Sequence, residues 1–370
     1  MTKLQPTVQL LLDDLVASGA EVGLQVAAYY QGELVVDAWA GMADATRPVT
    51  ADTLFTAFSA TKGVTATVIH ALAEDGLLDY DTAVAHYWPA FAANGKERIT
   101  LRHVLTHTAG VPQMPSGTTP ERMIDWPWMV EAIAQLSPLW EPGTRTGYHG
   151  LTYGWILGEV AQRASGQSFQ ELVQARIKGP LGITDLYLGI PASEEGRMAP
   201  LQSGPISRKP ISPEALLLKA IPIAVSPSPK VYNRPEVREA VLPGGGGIMT
   251  ARALAKMYAS LVSTVDGCRL LSPERVATAT TRQVEAHDEV LDEPIPKGLG
   301  YFLGSPHSPM GTSPTLFGHP GAGGSLGFAD ARHGFAFALT KNRLVWDRPA
   351  HETAAYQVSQ LIRQGLGIGD

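Results

Sequence analysis

TLFTAFSATKGVTATVIHALAEDG, residues 53–76, decides the reading of this chain. An apolar, strand-like approach gives way to a helical pattern that carries Val64, Val68, Ile69, Ala71 and Leu72. Ser59 and Lys62 stand three apart where that helix begins, so they share one face about one turn from each other. A serine hydroxyl is a poor nucleophile until a base removes its proton. A lysine amine serves as that base when burial or neighbouring cations lower its pKa. The helix N-terminus adds partial positive charge, which favours the anionic forms of such a reaction. Ser-x-x-Lys also arises by chance, as an exposed pair in a first turn. The apolar run behind Lys62 weighs against that reading, because a lysine heading a buried helix costs free energy unless it is paired or used.

The rest of the chain sets the frame. With 370 residues it is long enough to bury a large core as one compact body with two lobes. The apolar fraction, 44%, is ordinary for a globular protein. The net charge of -6 comes from dispersed acids without a basic block, which argues against nucleic acid as a partner. Apolar runs such as 215–225 are interrupted and too short to span a bilayer. The N-terminus lacks a signal-peptide core and reads as an amphipathic helix with Val8, Leu11, Leu12 and Leu15 on one face, ending near Gly19. Cys268 is the only cysteine, a structural or surface thiol, so no internal disulfide forms and the cytoplasm is the expected compartment. A homo-oligomer is compatible with the sequence.

Residues 22–30 and 34–41 read as a hairpin around Gln31-Gly32-Glu33, and 63–185 as mainly helical. Thr100 is placed to cap a short helix that ends by Gly110, and 152–164 reads as a further helix. Residues 190–245 are rich in Pro and Ser without a clear period, as a lid or binding loop is. Helices are expected at 250–264 and 349–365, and strands at 298–304, 326–332 and 334–341. The early hairpin is expected to join the late strands in one antiparallel sheet.

Ser59-x-x-Lys62, ITLRHVLTHTAGVP at 99–112, Pro142-Gly143 leading to Tyr148, PLGITDLYLG at 180–189 and GHPGAGGS at 318–325 follow one another in this order. Together they resemble the serine β-lactamase and penicillin-binding-protein superfamily, and within it the family VIII carboxylesterases, which share the class C β-lactamase fold. The resemblance spans roughly residues 10–365. It implies an α/β fold of the α+β type, β-lactamase/transpeptidase-like. An antiparallel sheet flanked by the terminal helices would form one lobe (1–62 and 245–370). A mainly helical lobe (63–244) would carry a lid region near 190–244, with the active site between the lobes.

By the same resemblance Ser59 is the nucleophile, Lys62 its partner in proton transfer, and Tyr148 the tyrosine that shuttles the proton to the leaving group. A tyrosine near a cationic lysine can reach a lowered pKa and act as a base. The alternative for Tyr148 is packing with its hydroxyl bonded, and Tyr153 is the competing candidate. The backbone N–H groups of Ser59 and Ala322 would form the oxyanion hole. Gly321 would line the cleft, and His319, Gly150 and His149 would be substrate-binding, with His319 alternatively structural. Two departures bear on substrate. His319 stands where the lactamases have a lysine that helps hold a carboxylate, and Gly150 where they have an asparagine that helps bind an amide side chain. Both suit a neutral ester of small or medium acyl chain.

Two other motifs compete with this reading. His103 and His107 have the spacing of a helical metal pair, but no third ligand is evident, and neither metal nor cofactor is expected. Gly323-Gly324-Ser325-Leu326-Gly327 matches the nucleophile elbow of α/β-hydrolases, yet the residues after Ser325 read as a strand rather than a helix. The glycine runs at 244–247 and 321–324 are expected to be tight turns that let backbone approach the cleft. The expected activity is ester hydrolysis through an acyl-serine. The alternatives are acyl transfer from the same intermediate, a weak β-lactamase or D-amino-acid peptidase, and a non-catalytic binding relative.

Overall fold

The computed structural model describes residues 4–204, 212, 214–346 and 348–369. In chain order the elements used below are α1 (Leu4–Ala17), β1 (Gly23–Tyr30), β2 (Glu33–Gly41), β3 (Phe55–Phe58), α2 (Thr61–Glu74), α3 (Leu101–Leu105), α4 (Thr152–Ser165) and β4 (Leu186–Leu188). There follow α5 (Leu216–Ala220), β5 (Gly247–Met249), α6 (Ala251–Val262), β6 (Phe302–Leu303), β7 (Leu316–Pro320), β8 (Leu326–Asp330), β9 (Phe335–Lys341) and α7 (Ala354–Leu366). The main sheet runs β2-β1-β9-β8-β7-β6, and every neighbouring pair is antiparallel. The early hairpin thus joins the late strands, as its pattern predicts.

Alternation along the strands sorts the two faces. Leu24, Val26, Phe337 and Leu339 point to a core shared with Val8 and Leu12 of α1 and Val358 and Ile362 of α7. Ala27, Tyr29, Ala336 and Ala338 point the other way, to a core shared with Leu254, Met257 and Tyr258 of α6 and with α2. Small residues on this second face let α6 lie close: a Cβ at Gly327 would sit 2.7 Å from both Leu254 and Tyr258. A second, three-stranded sheet has the order β3-β5-β4 and carries the start of α2 at the end of β3.

Several boundaries differ from the sequence expectation for local reasons. The expected strand at 298–304 shrinks to β6, because Gly298 N–H closes a turn onto the Tyr301 carbonyl with Gly300 at φ 81°. The last helix starts at Ala354 rather than 349, where the Thr353 side chain caps it by accepting the Tyr356 N–H. The strand after Ser325 stops at Asp330, whose carboxylate takes the Arg332 N–H. Of the Pro-rich stretch at 205–230, residues 205–211 and 213 lie outside the described residues. No helix among the described residues is long and apolar enough to cross a membrane.

Candidate active site

β3 delivers Ser59 through a bent exit. Phe58 takes φ 48°, a left-handed conformation that costs a side-chain-bearing residue roughly 1–3 kcal/mol. Two features over-determine it. The Thr61 hydroxyl donates to the Phe58 carbonyl and accepts the Gly247 N–H, and the Phe58 ring packs edge-on against Tyr232 with centroids 4.9 Å apart. The result is a turn that leaves Ser59 only half-buried while α2 behind it is almost wholly buried.

Lys62, one turn along α2, is fully buried. Its Nζ donates to the carbonyls of Gly150 at 2.7 Å and Gly244 at 2.6 Å, and lies 3.2 Å from Ser59 Oγ. Burial holds its pKa well below the ordinary lysine value. Gly244 reaches Lys62 Nζ because α4 has no side chain in the way: a Cβ at Gly154 would lie 2.0 Å from the Gly244 nitrogen. The glycine run at 244–247 does bring backbone to the site, as the sequence suggests.

Tyr148 completes the cluster. Its hydroxyl donates to Ser59 Oγ at 2.7 Å, and Lys62 Nζ sits 4.8 Å from its ring centre. The tyrosine pKa departs from the sequence expectation in direction. Burial raises it, outweighing the hydrogen bond to Ser59, so the resting phenol is a proton donor and not a base. Tyr153, the competing candidate, is fully buried inside α4 with its ring 5.7 Å from Lys62 Nζ, and reads as core.

The remaining candidates fall into two groups. Gly321 borders the cleft: a Cβ there would lie 2.2 Å from the Ala57 carbonyl, two residues before Ser59, so β7 and β3 meet backbone to backbone. Ala322 follows at the head of a short turn, half-buried. His319 is buried with its ring on Phe302 (centroids 4.4 Å) and near Tyr148 (5.9 Å). Its Nδ1 shares a hydrogen bond with the Pro320 carbonyl, which makes Nε2 an acceptor, and that atom is buried without a partner among the described residues. Burial first, and Lys62 whenever it is charged, hold the His319 pKa well below the ordinary histidine value.

His149 belongs with the framework. Its Nε2 accepts the Val111 N–H at 3.0 Å and its Nδ1 donates to the Gly147 carbonyl at 2.7 Å. Both ring nitrogens are spent, and burial depresses its pKa to about 4. The expectation that His149 touches substrate therefore gives way to a positioning role. Gly150 contributes a carbonyl to Lys62 rather than surface to substrate, and a Cβ there would lie 2.7 Å from Ile221 Cγ1. Ile221, just after α5, thus fills the space where a side chain at 150 would project.

The decoy motifs resolve by position. Ser325 is buried and followed by β8, not by a helix. His103 closes the capping box of α3, with Nδ1 accepting the Thr100 N–H, and His107 Nδ1 accepts the His149 N–H.

Sequence reasoning missed four contributors: the strained Phe58, Ile221, Tyr232, and a buried ion pair between Asp288 and Lys297 beneath Tyr148. Phe58 stood in the opening stretch, and Ile221 and Tyr232 in the 190–245 stretch expected to be a lid or binding loop, without being singled out; the ion pair carries no local signal.

A family model described as Beta-lactamase matches residues 8–361. The esterase/beta-lactamase LipL of Mycobacterium tuberculosis is 37% identical over 366 residues, covering 92% of this chain and 82% of the relative. A crystal structure of a family VIII carboxylesterase superposes with a TM-score of 0.89 at 32% identity, covering 98% of this chain and 97% of the other. EstA from Arthrobacter nitroguajacolicus Rue61a follows at 0.88 and 31%, covering 98% and 96%.

Proposed function

The chain belongs to the beta-lactamase family, and on that premise we propose that it is a carboxylesterase that cleaves neutral esters through acyl-Ser59. One observation carries the reading: Ser59 Oγ stands between Lys62 Nζ at 3.2 Å and the Tyr148 hydroxyl at 2.7 Å. A neutral lysine amine has two N–H donors and one lone pair. The carbonyls of Gly150 and Gly244 take the donors, which leaves the lone pair for the Ser59 proton. Desolvation lowers the amine's pKa, which favours the neutral form that acts as a base.

The steps follow from that arrangement. Ser59 Oγ attacks the ester carbonyl as its proton passes to Lys62. The backbone N–H groups of Ser59 and Ala322 receive the oxyanion, and one such donor is typically worth about 10²–10³ in rate. Lys62 is now charged, 4.8 Å from the Tyr148 ring centre, and a nearby cation favours loss of the phenol proton. Tyr148 gives that proton to the departing alkoxide and recovers one from Lys62. Water then attacks the acyl-serine by the same route in reverse, releasing the acid.

The surroundings support a neutral substrate. His319 brings no charge where the lactamases place a lysine, and Ile221 with its neighbours makes the Tyr148 side apolar. The relative LipL carries an esterase name and a structural neighbour is a family VIII carboxylesterase, which agrees with this reading. The test is to trap the intermediate. A p-nitrophenyl ester of a short acyl chain, quenched during turnover, should add one acyl mass to the peptide holding Ser59. An acyl group on Ser325, or turnover by Ser59→Ala at near-normal rate, would overturn the proposal. Product analysis with an added alcohol separates hydrolysis from acyl transfer.

A further inference from the structure

The ion pair of Asp288 and Lys297 has no part in the steps above. Lys297 Nζ lies 2.9 Å from Asp288 Oδ2, and the two side chains are 1% and 0% exposed. Burying two charges costs more than a surface pair returns, so the geometry around such a pair is informative. Oδ2 makes an ion-pair contact rather than an aligned hydrogen bond. Oδ1 does something else: it accepts the backbone N–H groups of Tyr148 at 2.9 Å, Val290 at 3.0 Å and Leu291 at 2.9 Å. Lys297 Nζ in turn donates to Thr146 Oγ1 at 3.1 Å, and the Thr146 carbonyl accepts the Glu289 N–H at 2.9 Å. Asp288 therefore holds the Tyr148 backbone and Lys297 the Thr146 side chain, two residues apart; Asp288 lies on a small hairpin that pairs 287–288 with 293–294, and Lys297 follows three residues after it.

Tyr148 needs such a grip. It lies between helices and strands, so no ladder holds its N–H. The opposite side of the run is fixed by His107, whose carbonyl accepts the Gly147 N–H and whose Nδ1 accepts the His149 N–H. Asp288 supplies the missing contact at the one residue between them. A Cβ at Gly147 would lie 2.6 Å from the Trp140 ring and 3.1 Å from Val290 on the same hairpin, so the run before Tyr148 is closely packed from both.

We propose that Asp288, held in place by Lys297, is the positioning residue that sets Tyr148 on Ser59 Oγ. The inference rests on the acyl-serine reading, which gives the place of the Tyr148 hydroxyl its consequence. A misplacement of about 1 Å at a reacting group can cost 10²-fold in rate. Asp288→Ala should therefore lower kcat by about 10–10²-fold on p-nitrophenyl butyrate with KM nearly unchanged. In a Tyr148→Phe background the same substitution should cost less than about threefold, because no hydroxyl remains to be misplaced.

A second comparison holds if Asp288→Ala, which leaves Lys297 buried and unpaired, does not fold. Asp288→Asn/Lys297→Met keeps an oxygen acceptor for Tyr148, and Asp288→Ala/Lys297→Met does not, while neither buries an unpaired charge. The first should exceed the second in kcat by about tenfold or more, again only when Tyr148 is present. Equal losses with and without the Tyr148 hydroxyl, or equal kcat for the two double variants, would overturn the inference and leave the esterase reading standing. A Tyr148→Phe enzyme as fast as the parent would overturn both.

Discussion

Lys62→Met tests the charge logic of the site most directly. The two side chains have similar length, so the substitution removes the amine with little change in volume. Activity should fall by about 10²–10⁴, the usual span for a positioned general base, or about 3–5 kcal/mol of barrier. Stability should move separately. The carbonyls of Gly150 and Gly244 lose their donor, and each buried unsatisfied group costs about 1–3 kcal/mol. Against this, the parent buries an amine that water would rather hold charged. Its folded pKa lies below the unfolded lysine value, so between the two the unfolded chain binds more protons. The parent's stability therefore rises with pH across that window, from the depressed Lys62 value up to that of a free lysine. The variant should lose that share of the slope. Urea unfolding at stepped pH measures it, alongside kcat/KM for p-nitrophenyl butyrate on the same samples. The acid limb of the parent's kcat/KM profile should report Lys62 and sit well below the ordinary lysine range. A Lys62→Met enzyme within about tenfold of the parent, or an unchanged acid limb in its residual activity, would refute the assignment of Lys62 as base.

The remaining expectations use the same assays. Tyr148→Phe should cost about 10²–10⁴, and Lys62→Met/Tyr148→Phe little more than the worse single variant, since the two act on one proton; fully multiplicative losses would show independent roles. Ser325→Ala should keep most of the activity that Ser59→Ala abolishes, because Ser325 is buried at the start of β8; a fluorophosphonate that labels Ser325 would reverse this. Ile221→Ala should shift the kcat/KM optimum towards bulkier esters, since Ile221 occupies the space beside Gly150 and Tyr148; an unchanged chain-length profile would remove Ile221 from the substrate wall. Nitrocefin should turn over more slowly than the best ester, because a charge-assisted contact worth roughly 1.5–3 kcal/mol to a carboxylate is missing at His319.

What the sequence disclosed, and what it hid, divides along sequence distance. Ser59 and Lys62 were legible because a helix converts a spacing of three into a shared face, and the hairpin at 23–41 because its turn and alternation are local. The hydrogen-bond partners of Lys62 lie 88 and 182 residues away, and they are carbonyls, which no residue type announces. The same holds for Tyr148. Its identity could be matched to a motif, but its backbone is held by a carboxylate 140 residues on, in a polar hairpin that reads like any surface turn. The direction of the tyrosine pKa failed for a related reason. Reasoning from the sequence placed a cation beside the phenol, and a cation would lower it. In the fold desolvation outweighs that effect, raising the phenol while it lowers the amine beside it. Burial thus pushes the two groups in opposite directions, lowering the Lys62 amine and raising the Tyr148 phenol, which keeps its proton as it would in water. On the proposed mechanism that opposition lets one amine and one phenol act in turn, the first as acceptor and the second as donor, without a carboxylate between them.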